Sequence, residues 1–124
     1  MSRIALVEDD PDMLKLLQTF LEIEGFQAVA YQVDAGQDVL DFLRTCQADI
    51  LLMDVHLPWA NGLDLLPAIR QDPLVGHCYI VMSSGMDLRD RCLSGGADAF
   101  LLKPYMPGDL IRLVRRYGAH HKIL

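Results

Sequence analysis

Glu8, Asp9 and Asp10 stand in a row just after a short apolar run, and a lone aspartate, Asp54, follows a second one. Ser83 and Ser84 follow a third run, and Lys103 a fourth. Crowded carboxylates repel one another, and in isolation some stay protonated. A hard divalent cation removes that penalty, because Mg²⁺ takes oxygen ligands, uses one or two carboxylates and keeps several waters. One carboxylate is then left free as a nucleophile, and carboxylates do form covalent aspartyl-phosphate intermediates. Phosphoryl transfer asks mainly for positioning and charge stabilisation. A lysine ammonium opposite the metal could neutralise the phosphoryl oxygens, and a serine hydroxyl could hydrogen-bond one of them. All of this requires the apolar runs to be strands that end at one place.

The elements between these residues support that placement. Arg3 to Val7 reads as a short strand, and Pro11 opens a helix after it, in a first turn where its missing N–H costs nothing. Asp10 precedes it as a candidate N-cap. Met13, Leu14, Leu17, Phe20 and Leu21 recur at helical spacing, Gly25 ends the helix, and Phe26 to Tyr31 alternates as a strand. Val39, Leu40, Leu43 and Cys46 line one side of a second helix. Ile50 to Met53 is continuously apolar, as a strand covered on both faces should be. Asn61 and Gly62 lead into a third helix with Leu63, Leu66 and Ile69; Pro67 inside it removes a backbone donor and is expected to kink or delay it. Tyr79 to Met82 predicts a fourth strand, Asp87 to Ser94 a short helix, Ala99 to Leu102 a fifth strand and Met106 to Tyr117 a last helix. Five βα units make a parallel sheet with helices on both faces, whose ligands sit beyond the carboxyl ends of the strands. The acids, the hydroxyl and the lysine therefore converge on one edge.

The bulk composition agrees with one domain, residues 1–124. A chain of 124 residues, 52% of them hydrophobic, can build a full core without staples. Three widely spaced cysteines, Cys46, Cys78 and Cys92, argue against a disulfide framework and for a reducing, cytoplasmic setting. The run Ile4 to Val7 is too short for a signal peptide, and no run approaches the ~18 apolar residues of a membrane span. A net charge of −6 speaks against direct nucleic-acid contact, which needs clustered Lys and Arg. His120 and His121 read as a frayed tail.

The segments Leu6-Val7-Glu8-Asp9-Asp10, Leu52-Met53-Asp54-Val55-His56-Leu57-Pro58, Asn61-Gly62, Val81-Met82-Ser83-Ser84, Gly96-Ala97-Asp98-Ala99-Phe100 and Lys103-Pro104 cover nearly the whole chain. As a set they resemble the CheY-like receiver domain of bacterial two-component response regulators. The resemblance implies a flavodoxin-like doubly wound α/β fold with five parallel strands in the order 2-1-3-4-5. It implies that Asp54 is the phosphorylated aspartate, fed by a sensor histidine kinase or a phosphotransfer protein of a phosphorelay. Glu8 and Asp9 would hold Mg²⁺ (or Mn²⁺) with Asp54, Asp9 as the more direct ligand of the acidic pair, and His56 would lend its backbone carbonyl. Ser83 would swing toward the phosphoryl group, Phe100 would pack inward as the aromatic switch, and Lys103 would pair with phosphate ahead of a cis bond to Pro104. The domain would catalyse its own phosphorylation and slow dephosphorylation, with no separate substrate to turn over. Its output face would be the last two helices and the fifth strand, meeting an output domain, a downstream protein or a second copy.

Three positions depart from common choices. Phe100 stands for the commoner tyrosine, Ser84 for alanine, and Trp59 sits where small residues are usual, either as a partner contact or as packing over the site. His56, two residues after Asp54, could shield or orient water that attacks the phosphoryl group. Two rival readings are a phosphorylation-independent interaction module of the same fold and a flavodoxin-like cofactor binder. The intact acid set and Lys103 count against the first. Glu8-Asp9-Asp10, where the second would need a glycine-rich phosphate loop, counts against the other.

Overall fold

The structure is a computed structural model and describes residues 2–33 and 36–121, with the side chains of 118–121 excepted. The expectation for His120 and His121 lies outside the described side chains.

Strand β1 (Arg3–Val7) leads into helix α1 (Pro11–Ile23), whose N-cap is Asp10. The Asp10 carboxylate accepts the backbone N–H of Asp12 at 3.0 Å and of Met13 at 3.4 Å, which satisfies donors that the first turn leaves free. Asp10 is thereby a helix cap. Strand β2 (Gln27–Ala30) and helix α2 (Val39–Cys46) follow, then β3 (Ile50–Asp54). A two-residue pair, β4 (His56–Leu57) and β5 (Ala60–Asn61), precedes α3 (Gly62–Gln71). Strand β6 (Tyr79–Ser84), helix α4 (Arg89–Ser94), strand β7 (Ala99–Leu102) and helix α5 (Pro107–His121) complete the order. Among the described residues no helix is long and apolar enough to cross a membrane.

The main sheet runs β2-β1-β3-β6-β7, all neighbours parallel, which is the expected 2-1-3-4-5 once its five strands are counted in chain order. Alternation along the strands divides the core in two. Ile4, Leu6, Ile50, Leu52 and Val81 pack against Leu17 and Leu21 of α1 and Leu110, Ile111 and Val114 of α5. Ala5, Val7, Leu51, Met53, Ile80 and Met82 pack against α2, α3 and α4 through Phe42, Leu43, Leu66, Ile69 and Cys92. All five residues of β3 are buried, which accounts for its unbroken apolar run. Each large aliphatic side chain buried there contributes about 1.5–3 kcal/mol.

Several boundaries differ from expectation. Strands β3 and β6 run on through Asp54 and Ser83-Ser84, because the ladder continues to the pair Asp54↔Ser83 beyond the apolar residues. The second strand is shorter than Phe26 to Tyr31, the fourth helix begins at Arg89, not Asp87, and the last extends past Tyr117. Helix α3 continues through Pro67 to Gln71; Pro67 lies on its exposed side, so the lost backbone bond falls where water can take its place.

Candidate functional site

Each site residue is delivered by the end of a strand. Glu8 and Asp9 follow β1, Asp54 closes β3, Ser83 lies near the end of β6, and Lys103 follows β7. Asp54 has the parity of Ile50 and Leu52, and Ser83 that of Val81, so both point to the α1/α5 side of the sheet. Their register brings the Ser83 hydroxyl to the carboxylate, and it donates to Asp54 Oδ1 at 2.7 Å. The Lys103 ammonium donates to the Asp54 carboxylate at 2.8 Å and to Glu8 Oε1 at 3.1 Å. Glu8 also accepts the backbone N–H of Asp9 at 3.1 Å, which ties the acidic pair together.

Glu8 and Asp54 share one lysine, and the charge imbalance shifts both carboxyl groups. Burial, then the hydrogen bond and charge of Asp54, push Glu8 up to about 8 against the opposing pull of Lys103. Burial pushes Asp54 upward as well, but hydrogen bonds with Glu8, Lys103 and Ser83 outweigh it and hold the group below the ordinary carboxylate range. Desolvation disfavours the Lys103 charge, yet Asp54 and Glu8 more than compensate and raise it. The two carboxylates are thus shifted in opposite directions, Glu8 toward its protonated form and Asp54 toward its ionised one, with Lys103 shifted toward its charged form. The raised Glu8 marks crowded negative charge that a cation could relieve.

Carboxylate oxygens of Glu8, Asp9 and Asp54 lie within 4.8 Å of one another, so the three can ligate a single ion. An all-oxygen set with one exposed member, Asp9, suits a hard divalent cation that keeps part of its water.

The remaining expected residues fall around this centre. His56 is exposed, on the small β4–β5 hairpin. Phe100 is only 3% exposed and belongs to the core on the α4 side, with the Arg89 guanidinium 5.6 Å from its ring centre. The aromatic is thus inward while Ser83 is engaged with Asp54. Ser84 is buried, and its oxygen accepts the Met86 N–H at 3.0 Å, so it braces the loop after β6. Trp59 packs against Tyr31, ring centres 5.2 Å apart, and Tyr31 in turn meets Phe42 edge-on at 5.3 Å. Tyr31 and Trp59 wall a cleft beside Glu8 and Asp9. The Lys103–Pro104 peptide bond is cis.

Sequence reasoning passed over two features. The β4–β5 hairpin is too short to show a period. Tyr105, only 7% exposed, sits two residues after Lys103, on the α1/α5 side of the sheet with Val81, Leu110 and Ile111. A large aromatic beside a site lysine was its only local mark.

The sheet and its helices are matched by known proteins. The chain belongs to the response regulator receiver domain family, whose model matches residues 4–115. The transcriptional regulatory protein CpxR of Escherichia coli K12 is 37% identical over 120 residues, 93% of this chain and 48% of CpxR. The signal receiver domain of a signal transduction histidine kinase from Syntrophus aciditrophicus has a TM-score of 0.84 at 28% identity, covering 100% of this chain and 95% of that one. The receiver domain of a sensor histidine kinase from Pseudomonas aeruginosa PAO1, solved with a magnesium ion coordinated in its active-site cleft, has a TM-score of 0.78 at 25% identity over 93% of this chain and 95% of its own. The chain spans about half the length of the curated relatives it matches. A phosphorylation-dependent switch is the general function of the family.

Proposed function

We propose that residues 1–124 form a single receiver domain in which Asp54 accepts a phosphoryl group from a sensor histidine kinase or phosphotransfer protein. The observation that carries the reading is a buried carboxylate at a strand end, held between the Lys103 ammonium and the Ser83 hydroxyl. The acids fit a divalent cation, with Glu8, Asp9 and Asp54 as side-chain ligands and the His56 carbonyl as a backbone one; Mg²⁺ is the first choice and Mn²⁺ the substitute. Such an ion, when bound, supplies positive charge to the phosphoryl oxygens. Asp54 attacks phosphorus as the bond to the donor breaks, Lys103 balances charge on the transferred group, and Ser83 turns its proton to a phosphoryl oxygen. The phosphoryl group adds about −1.5 to −2 charge. Ser83 and Phe100 relay that change to the face of α4, β7 and α5, where an output domain, a downstream protein or a second copy docks. The proposed setting is the cytoplasm, which suits three free thiols, and an acidic domain of this kind leaves nucleic acid and membrane to other domains or proteins.

Incubation with acetyl phosphate and Mg²⁺, read by intact-mass spectrometry, tests the site. Labelling of the wild-type chain, lost in Asp54→Asn and with EDTA, is the expected result. Equal labelling of Asp54→Asn would refute the assignment, and no labelling of the wild type would favour a phosphorylation-independent interaction module.

A further inference from the structure

The β4–β5 hairpin pairs His56 with Asn61 and Leu57 with Ala60, and turns at Pro58 and Trp59. An isolated two-stranded hairpin is marginal in water, and one this short needs anchors from elsewhere in the fold. Its base has them: Leu57 is buried in the core, and Asn61 caps α3. Its tip is held by the Trp59 ring, packed on Tyr31 with ring centres 5.2 Å apart and planes tilted by 50°. Tyr31 is a firm seat. Its N–H donates to the Leu6 carbonyl at 2.9 Å, its phenol donates to the Gln37 carbonyl at 2.5 Å, and Phe42 of α2 meets its ring edge-on. Strand β1 lies between β3 and β2 in the sheet. The ring pair, which joins the loop after β3 to the end of β2, therefore spans the strand end that carries Glu8 and Asp9. All four residues line one cleft of about 490 Å³.

We infer that Trp59 is a positioning residue for the divalent cation: clamped on Tyr31, it holds the β4–β5 hairpin, and with it the His56 backbone, in place beside Glu8, Asp9 and Asp54. The inference rests on the reading of these residues as the metal site. Mg²⁺ requires near-ideal octahedral geometry, so a ligand that wanders costs affinity. A carboxylate can be aimed by its own rotamer, but a backbone carbonyl is placed only by the chain that carries it. A hairpin anchored at base and tip has already lost the freedom that an ion would otherwise have to take from it. Trp59 touches neither the ion nor the phosphoryl group in this role and acts through the hairpin. The coupling is reciprocal: if the ring contact strengthens ion binding, the bound ion strengthens the ring contact by the same factor.

The test is Mn²⁺ affinity, read from the electron paramagnetic resonance of the free ion, in wild type, Trp59→Ala, Trp59→Phe, Tyr31→Leu and the double variant of Trp59→Ala with Tyr31→Leu. Trp59→Ala is expected to bind roughly twofold to tenfold more weakly, the span of one aromatic pair. Trp59→Phe keeps a ring on Tyr31 and is expected to recover most of that loss. Once Tyr31→Leu has removed the seat, Trp59→Ala is expected to cost nothing further. Unchanged affinity in Trp59→Ala, or an equal loss with and without Tyr31, overturns the inference and leaves Trp59 as packing. A wild-type chain that binds no Mn²⁺ overturns the metal reading and this one with it, whereas failure to take label from acetyl phosphate bears on the Asp54 reading alone. Should the variants fold poorly, the wild type suffices, because Trp59 is its single tryptophan. Saturating Mg²⁺ is expected to protect the indole fluorescence from acrylamide, and equal quenching with and without Mg²⁺ sinks the inference.

Discussion

Gly62 stands so close to Asp54 that a Cβ added to it would lie 2.3 Å from the Asp54 carbonyl oxygen and 2.9 Å from Met82 Cε. The Gly62 N–H donates to the Val55 carbonyl at 2.7 Å, which seats the start of α3 directly against the strand end that carries Asp54. The neighbour at 2.3 Å is backbone, so it cannot turn aside as a flexible side chain would. Gly62→Ala should therefore cost about 1–3 kcal/mol of overpacking. It should also displace Asp54 and slow labelling by acetyl phosphate. Urea unfolding and the labelling rate measure the two effects, and a variant normal in both would show that α3 shifts without strain.

Lys103 is the balancing cation for both Asp54 and Glu8. Lys103→Met keeps much of the stem and removes the charge, leaving the two carboxylates facing each other. The labelling rate should drop on the order of 10²-fold, as when one charge-stabilising donor is removed from an active site. Circular dichroism should show the fold retained. A rate near wild type would place the neutralising charge elsewhere.

His56 is exposed and two residues from Asp54, so its imidazole does not pack in the core, and its proposed role is to shield or orient attacking water. We expect His56→Ala to change the dephosphorylation half-life several-fold, with thermal stability nearly unaltered, as is usual for an exposed substitution. An unchanged half-life would remove His56 from the hydrolysis step.

Asp72, far along the chain from the site acids, governs a separate pH response. Its carboxylate accepts from Arg44 Nε at 2.9 Å and from the N–H groups of Leu74 and Val75. The Arg44 guanidinium first, and then the Leu74 N–H, hold it below the usual carboxylate range. A lowered folded value means that the stabilisation is complete above the unfolded value, about 3.9, and is lost as pH falls through the folded value. Below about pH 4 the wild type should lose stability more steeply than Asp72→Asn, with parallel curves above about pH 5. Thermal unfolding at stepped pH reads this, and identical slopes in acid would show the pair to be energetically silent.

The strands, their order in the chain and the set Glu8, Asp9, Asp54, Ser83 and Lys103 were legible from the residues, because each polar site residue interrupts an apolar run at a strand end. That signal is local: a buried strand must be apolar, so acids and lysines can follow only where the sheet opens to water. The same logic misplaced the last residues of β3 and β6, since Asp54 and Ser83 look like loop by type and become strand only through their pairing with each other. The Asp10 cap was readable because its bonds lie within three residues.

Other features depended on residues far apart in sequence. Lys103 and Glu8 meet across 95 positions, and burial with the neighbouring Asp54 pushes Glu8 up against the pull of Lys103 while Asp54 is held down. Trp59 was ambiguous until Tyr31, from another strand end, was found packed against it. Tyr105 was an unremarked aromatic until the fold buried it with Val81 and Leu110 on the side of the sheet that carries Asp54. By itself the sequence determined which residues the carboxyl edge of the sheet would carry. The tertiary structure alone decided their charges and their hydrogen-bond partners, because those follow from distance and desolvation between segments that no local pattern connects.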